Sequence, residues 1–340
     1  MVRWVFLAIL VGVTALRVNF YTPEIEKYTQ GQKIKITTTV LDKNNLAVTG
    51  IKINSPKNVN YVIGDVVQII GTYDIQVIEE DWTIYSLDEV EIMVVGSEKS
   101  FRVLMAGTRA KVISLLVNWL PGDTGALAAG ILVGGDSVMS GESVNSFRRV
   151  GLSHIVAASG YNVTVVSGWT MAVLSGLFNR FVVIYIGILS IILYMFLAGG
   201  SAAVVRAGLL VIAVNLGKIV GRESDSGWLL LVTSLVMLLF SPAWAWDIGF
   251  QLSVAAMVGL IYFGGKSVWS QTLACQITTL PLILHYFGNL SVIAPIANLL
   301  LLWPVGIIMP VLAIASTFGM VFPIWGGYMA IISWPFLKII

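Results

Sequence analysis

The chain has 340 residues, of which 57% are apolar and only 11% charged, with a mean hydropathy of +0.88. Soluble domains are about half apolar and about one quarter charged. This composition excludes an ordinary water-soluble fold and places the protein's work in or across a membrane. The formal net charge of +2 is unevenly spread. Residues 21–100 hold seven Lys and Arg against twelve Asp and Glu, and the remainder carries the positive excess. The acidic segment is a poor candidate for holding nucleic acid by charge alone. A single cysteine, Cys275, excludes an intramolecular disulfide, and two histidines, His154 and His285, are too few for a zinc cage. No cofactor is implied.

In chain order, Trp4–Val13 follows Arg3 and reads as an uncleaved first transmembrane helix within residues 1–20. The small residues at 13–15 leave a cleavable signal peptide as the alternative. Residues 21–100 read as β. Lys33–Val40, Ala47–Asn54, Val66–Tyr73 and Val90–Val95 alternate or run in β-branched residues. Turn clusters at Asp42–Asn45, Ser55–Asn58 and Gly64–Asp65 separate them. A small OB-like barrel is the leading expectation, and a sandwich of equal size gives the same pattern. In residues 101–122, Met105, Val112, Leu115, Leu116 and Trp119 share one helical arc with Arg102 and Arg109 beside it, as in a helix lying in the interface.

Residues 123–340 form the main hydrophobic region. After a Gly-rich stretch, spans are expected at about 153–177, 181–198, 199–217, 226–240, 247–264, 268–287, 290–315 and 320–338. Pro281, Pro295, Pro304, Pro310, Pro323 and Pro335 crowd the last spans, so kinked or broken helices are expected there. The fold class is a polytopic α-helical membrane protein with a small extracytoplasmic all-β (OB-like) barrel inserted after the first transmembrane helix.

Orientation follows from the loops. Arg180, then Lys218 with Arg222, then Lys266 recur after successive pairs of spans, whereas the intervening loops lack Lys and Arg. The positive-inside rule puts the first set in the cytoplasm and the β domain outside. Arg148 and Arg149 then fall on the outer face, either paired with Asp136 or Glu142 or forming a phosphate-attracting mouth.

Several motifs carry two readings. Gly264-Gly265-Lys266-Ser267 lacks the first glycine of a phosphate-binding loop, since position 260 is Leu260, and it follows a span rather than a strand. No ATPase is expected. Ser159, in Ala157-Ala158-Ser159-Gly160, is a nucleophile for an intramembrane serine protease only if His154 or His285 serves as base. His154 lies about 140° from it around a helix, so small residues for close helix packing are the simpler explanation. Arg206 sits inside an apolar span, about 9–10 Å from its outer end at the helical rise. A charge there costs several kcal/mol and marks a functional site by default. The alternative is an arginine satisfied by helix-end carbonyls or a carboxylate. Gly199, Ala203 and Ala207, four apart, give its helix a flat face. Asp247 and Gln251 share one helical face, with Asp247 also placed to cap its helix. Asn162 and Asn298 are intramembrane amides that bond either a neighbouring helix or a substrate.

Four segments together resemble the ComEC-type bacterial competence family. They are Phe147–Val163 (FRRVGLSHIVAASGYNV), Gly199–Leu210 (GGSAAVVRAGLL), Asp247–Leu260 (DIGFQLSVAAMVGL) and Ser291–Pro304 (SVIAPIANLLLLWP). Leu127–Ser137 adds a weaker likeness. The resemblance covers roughly residues 120–320 and implies a channel passing single-stranded transforming DNA across the cytoplasmic membrane. It also implies an OB-like domain upstream, a surface DNA receptor and a cytoplasmic DNA motor as partners. Asn162 stands where the family usually has a second histidine, which puts a role for a His pair in doubt. Many members carry a C-terminal β-lactamase-like nuclease domain. None is in this sequence, so strand degradation is expected to be absent or supplied by a separate nuclease, and this chain is expected to be a transport channel rather than an enzyme. The DNA path or vestibule is expected to hold Arg148, Arg149, His154, Ser159, Asn162, Arg206, Asp247, Gln251 and Asn298, with Arg206 at its floor and Asp247 holding it. A transporter of another solute is the runner-up.

Overall fold

Period-2 alternation of apolar residues builds the acidic segment. In the computed structural model it forms β1 (Lys33–Thr39), β2 (Ala47–Val48), β3 (Ile51–Ile53), β4 (Asp65–Glu79) and β5 (Trp82–Ser97). The structure describes all residues except 1, 22–27, 43–46, 49–50, 54–60, 80–81, 136–137, 222–224, 289–290 and 292. The turn clusters expected at Asp42–Asn45 and Ser55–Asn58, together with Asp136 and Arg222, therefore lie wholly or largely outside the described residues. The sheet order is β1-β4-β5-β3-β2, antiparallel except for the parallel β3–β5 pair. β1, β4 and β5 carry most of the pairing. Val67, Ile69 and Tyr73 alternate inward along β4 and join Ile34, Val40 and Leu87 in a small core. Gly64 turns the chain into β4 at φ +98°, a conformation that glycine adopts without a Cβ penalty.

The chain divides into two compact units, Tyr21–Ala110 and Met1–Phe20 with Lys111–Ile340. The second is helical. Its elements are α1 (Val2–Asn19), the C-terminal half of α2 (Phe101–Trp119), α3 (Asp123–Val133), α4 (Gly141–Val150), α5 (Ser153–Val156), α6 (Gly160–Ser175), α7 (Arg180–Leu197), α8 (Ala202–Val220), α9 (Ser226–Phe240), α10 (Ile248–Tyr262), α11 (Val268–Phe287), α12 (Ala294–Gly319), α13 (Pro323–Ile331) and α14 (Trp334–Ile339). α7 and α8 are each long and apolar enough to cross a membrane, by length and composition. Side chains at the helix starts account for several boundaries. Asn179, Asp225, Asp247 and Ser267 each accept a backbone N–H three residues on, satisfying a donor that no carbonyl within the helix can reach.

The centre of this unit is α3, whose residues Gly125–Val133 are all buried. Val112, Leu116 and Leu120 enter the same core cluster, as do Ile191, Val204, Ile308 and Leu312. The C-terminal half of α2 is thus partly built into the bundle. Trp119 seats in a notch of three glycines. A Cβ on Gly319 or Gly326 would come within 2.1 or 2.8 Å of its ring, and one on Gly327 within 3.0 Å.

One expectation is corrected. The stretch 153–177 is not one helix. It breaks between α5 and α6, where Ala157 and Ser159 are extended. The proline-rich end is broken in part: α11 runs through Pro281, and α12 through Pro304 and Pro310, whereas the expected 320–338 span is divided between α13 and α14. Pro295, Pro323 and Pro335 instead stand in the first turns of α12, α13 and α14, where a missing N–H costs no helical hydrogen bond.

Candidate functional site: a buried arginine where three helices meet

Gly199 and Gly200, at φ +81° and +67°, close the hairpin between α7 and α8. At the far end of that hairpin, Arg180 Nη2 donates to the Lys218 carbonyl at 2.9 Å. Arg206 lies in the second turn of α8 and is 4% exposed. Its Nε donates to Ser253 Oγ of α10 at 2.9 Å, and Nη2 donates to the same oxygen. Nη1 is buried with no acceptor among the described residues. The small residue beside it, Ala207, admits the start of α6. A Cβ on Gly160 would stand 3.2 Å from Ala207 Cβ and 4.0 Å from Arg206 Nη2. Three helices therefore meet at one guanidinium, and the charge faces protein rather than the outside of the bundle.

The start of α6 is held from below. Asn162, 3% exposed, donates from Nδ2 to the Ile131 carbonyl of α3 at 2.9 Å. Its Oδ1 accepts from Ser159 Oγ at 3.2 Å. Ser159 is the N-terminal cap residue of α6, yet its side chain accepts no backbone N–H. The non-helical turn before it packs on Gly134, where a Cβ would meet Ala158 Cβ at 2.5 Å, and Gly135 N–H donates to the Val156 carbonyl. Asn162 thus bonds a neighbouring helix.

The other expected residues take separate places. Asp247 does not hold Arg206. Its carboxylate caps α10, accepting from Phe250 N–H at 2.7 Å, because the chain enters α10 there and the cap is the nearer partner. Gln251 braces α10, donating to the Ala245 carbonyl and accepting from Tyr286 Oη of α11, both at 2.8 Å. Arg148 and Arg149 are exposed in the last turn of α4, where cations complement the helix dipole. His154 is exposed on α5. Asn298 Oδ1 on α12 is buried without a partner among the described residues. Among the described residues, no hydrogen bond or ion pair joins Arg148, Arg149, His154, Asp247 or Asn298 to Arg206. A groove of about 470 Å³ lies elsewhere, among Phe318, Phe322, Trp325, Tyr328, Met329 and Ile332.

Sequence reasoning missed Ser253, although it ends the Gly-Phe-Gln-Leu-Ser stretch, because a serine inside an apolar helix gives no sign of which helix it faces. Asn215 was missed too. It is 1% exposed in α8, accepts from Lys218 Nζ at 3.3 Å and leaves Nδ2 unsatisfied. Three residues before a lysine, it resembled an ordinary helix-end amide.

These elements define a helical bundle with large apolar side chains on its outside that, among the described residues, encloses one cation, Arg206. The profile described as Competence protein matches residues 131–340, and the chain belongs to that family. It is 26% identical over 265 residues to ComE operon protein 3 of Bacillus subtilis (strain 168), an alignment covering 69% of this chain and 32% of that relative. The chain thus spans about a third of the length of the curated relative it matches. No solved structure matches it.

Proposed function

We propose that this chain forms the path by which single-stranded DNA crosses the bacterial cytoplasmic membrane during competence. The observation that carries the proposal is Arg206, a cation sealed among α6, α8 and α10 within a competence-family bundle. A polyanion crossing hydrocarbon needs polar and cationic groups turned inward, and a buried intramembrane charge is retained only where it serves a function or is fully paired. Arg206 is incompletely paired.

The unit is polytopic in this account, with α7 and α8 as one hairpin and the remaining long helices as further spans. Large apolar side chains on its outside, such as Tyr185, Leu189 and Phe240, then face lipid. The Arg180–Lys218 contact places two cations at one end of the hairpin, which the positive-inside rule assigns to the cytoplasm. The β unit then lies outside. Its OB-like character is supported by the sheet order: the two end strands, β1 and β2, are consecutive in the chain, so pairing them would close a barrel.

Arg148, Arg149 and His154 attract the strand to the outer mouth, Ser159 and Asn162 shape the path, Arg206 forms its floor, and Asn298 lines it. Asp247 and Gln251 fix α10. A surface DNA receptor, a nuclease and a cytoplasmic motor are the expected partners. The test uses competent cells given labelled DNA. Deletion of the gene should leave surface binding intact and abolish entry into the nuclease-protected pool. Unchanged entry would overturn the proposal.

A further inference from the structure

The first amide groups of a helix have no carbonyl within the helix to bond, so a cap, water or a ligand must satisfy them. α6 begins after the break at Ala157–Ser159, where Ala157 and Tyr161 are exposed and Ser159 and Gly160 half-buried. The amides of Gly160, Tyr161 and Asn162 find no acceptor among the described residues. Ser159 Oγ, the natural cap, is turned to Asn162 Oδ1 instead. The positive end of the helix dipole is therefore uncapped. Beside it stands the Arg206 guanidinium, on a side chain only 4% exposed, its Nη1 without an acceptor among the described residues and its Nη2 4.0 Å from where a Gly160 Cβ would lie. Two positive ends meet there, and among the described residues no carboxylate is bonded to either. Asp247 is occupied at the start of α10.

We propose that the N-terminus of α6 and Arg206 together form an oxyanion site for one phosphodiester of a single-stranded nucleic acid. Uncapped helix N-termini bind phosphates through their amides, and broken membrane helices use such half-helix starts for anionic substrate groups. Glycine at position 160 leaves the amides open to close approach, while the planar guanidinium supplies paired donors to phosphate oxygens. Ser253 holds the guanidinium from the α10 side through Nε and Nη2, leaving Nη1 for the ligand. This site deepens the DNA-path reading and rests on it.

The test compares Gly160→Asp with Gly160→Asn in the full chain, purified in detergent. Both variants add the same bulk, but only aspartate brings a carboxylate to the amides and Arg206. The probe is a fluorescent oligothymidylate. Its affinity should fall about tenfold to a hundredfold further for Gly160→Asp than for Gly160→Asn, the loss expected of charge-assisted contacts. The slope of log affinity against log salt should shrink by about 0.7, one phosphate fewer. Equal losses in the two variants would overturn the site, because crowding alone would explain them. The wild-type chain supplies a second measurement. An oligonucleotide with uncharged methylphosphonate linkages should bind far more weakly, and equal binding would overturn the site. Inorganic phosphate that binds without displacing the oligothymidylate would also overturn it, by marking a site for the free ion. DNA entry scored on gene deletion separates the two ideas: entry lost on deletion with oligonucleotide binding insensitive to Gly160→Asp sinks the site and leaves the path standing.

Discussion

Ser253→Ala removes the one acceptor bonded to two donors of Arg206. A hydrogen bond to a charged group contributes about 1.5–3 kcal/mol, and stranding a buried charge costs about 3–5 kcal/mol. Arg206 already carries one unsatisfied donor at 4% exposure, so nearby protein offers little relief. The expected destabilisation is about 2–4 kcal/mol. In an Arg206→Met background the same serine faces an apolar chain, and its removal should cost less than about 0.5 kcal/mol. The coupling energy of the cycle is then about 1.5–4 kcal/mol. Denaturant unfolding of the four proteins in mixed micelles measures it. Equal costs of Ser253→Ala in both backgrounds would show that Ser253 does not hold Arg206.

The remaining predictions concern packing and charge. Gly326→Ala places a Cβ 2.5 Å from Gly319 Cα and 2.8 Å from the Ala315 carbonyl, both backbone, and should destabilise by about 1–3 kcal/mol. Gly168→Ala, with nothing within 4 Å in mid-α6, should be neutral or stabilise by up to about 1 kcal/mol, and matched thermal scans compare the two. Asn162→Ala leaves the Ile131 carbonyl without its donor and should cost about 1–3 kcal/mol, with faster proteolysis at the α5–α6 break as a local readout. Ser140 and Ser143 hydroxyls hold the exposed Asp123 carboxyl below its ordinary value. Its stabilisation is present above the unfolded carboxylate value near 4 and lost as pH falls through the lower folded value. Asp123→Asn should therefore lower the thermal midpoint at pH 7, through a loss of less than about 1 kcal/mol at so exposed a group, and the difference from the wild type should shrink as pH falls through the folded value.

Patterns that act within one element were readable from the sequence. Alternation located β1 and β4, and Asp247 as a capping residue located the start of α10. The acidic insert separated as its own unit because its polarity and period differ from everything after it. The break before α6 was not readable. Ala157-Ala158-Ser159 has no proline, and what permits the extended turn is tertiary: Gly134 leaves room for Ala158, and Asn162 reaches Ile131. Pro281, Pro304 and Pro310 stand inside continuous helices, whereas the break between α13 and α14 falls just before Pro335. Arg206 stood out as a lone charge in an apolar run. Its partner did not, because choosing Ser253 over Asp247 depends on where α8 crosses α10, about one and a half turns into the latter.

The central claim is that a DNA strand passes beside Arg206. A photoreactive side chain at position 161, next to Gly160 and 41% exposed as Tyr161, tests it most directly in competent cells taking up labelled DNA. A control at position 324, 75% exposed on α13 as Ile324, samples the outside of the bundle. The account predicts DNA adducts at position 161 during uptake and none at 324. Continued uptake with no adduct at 161, or with equal adducts at both positions, would contradict it.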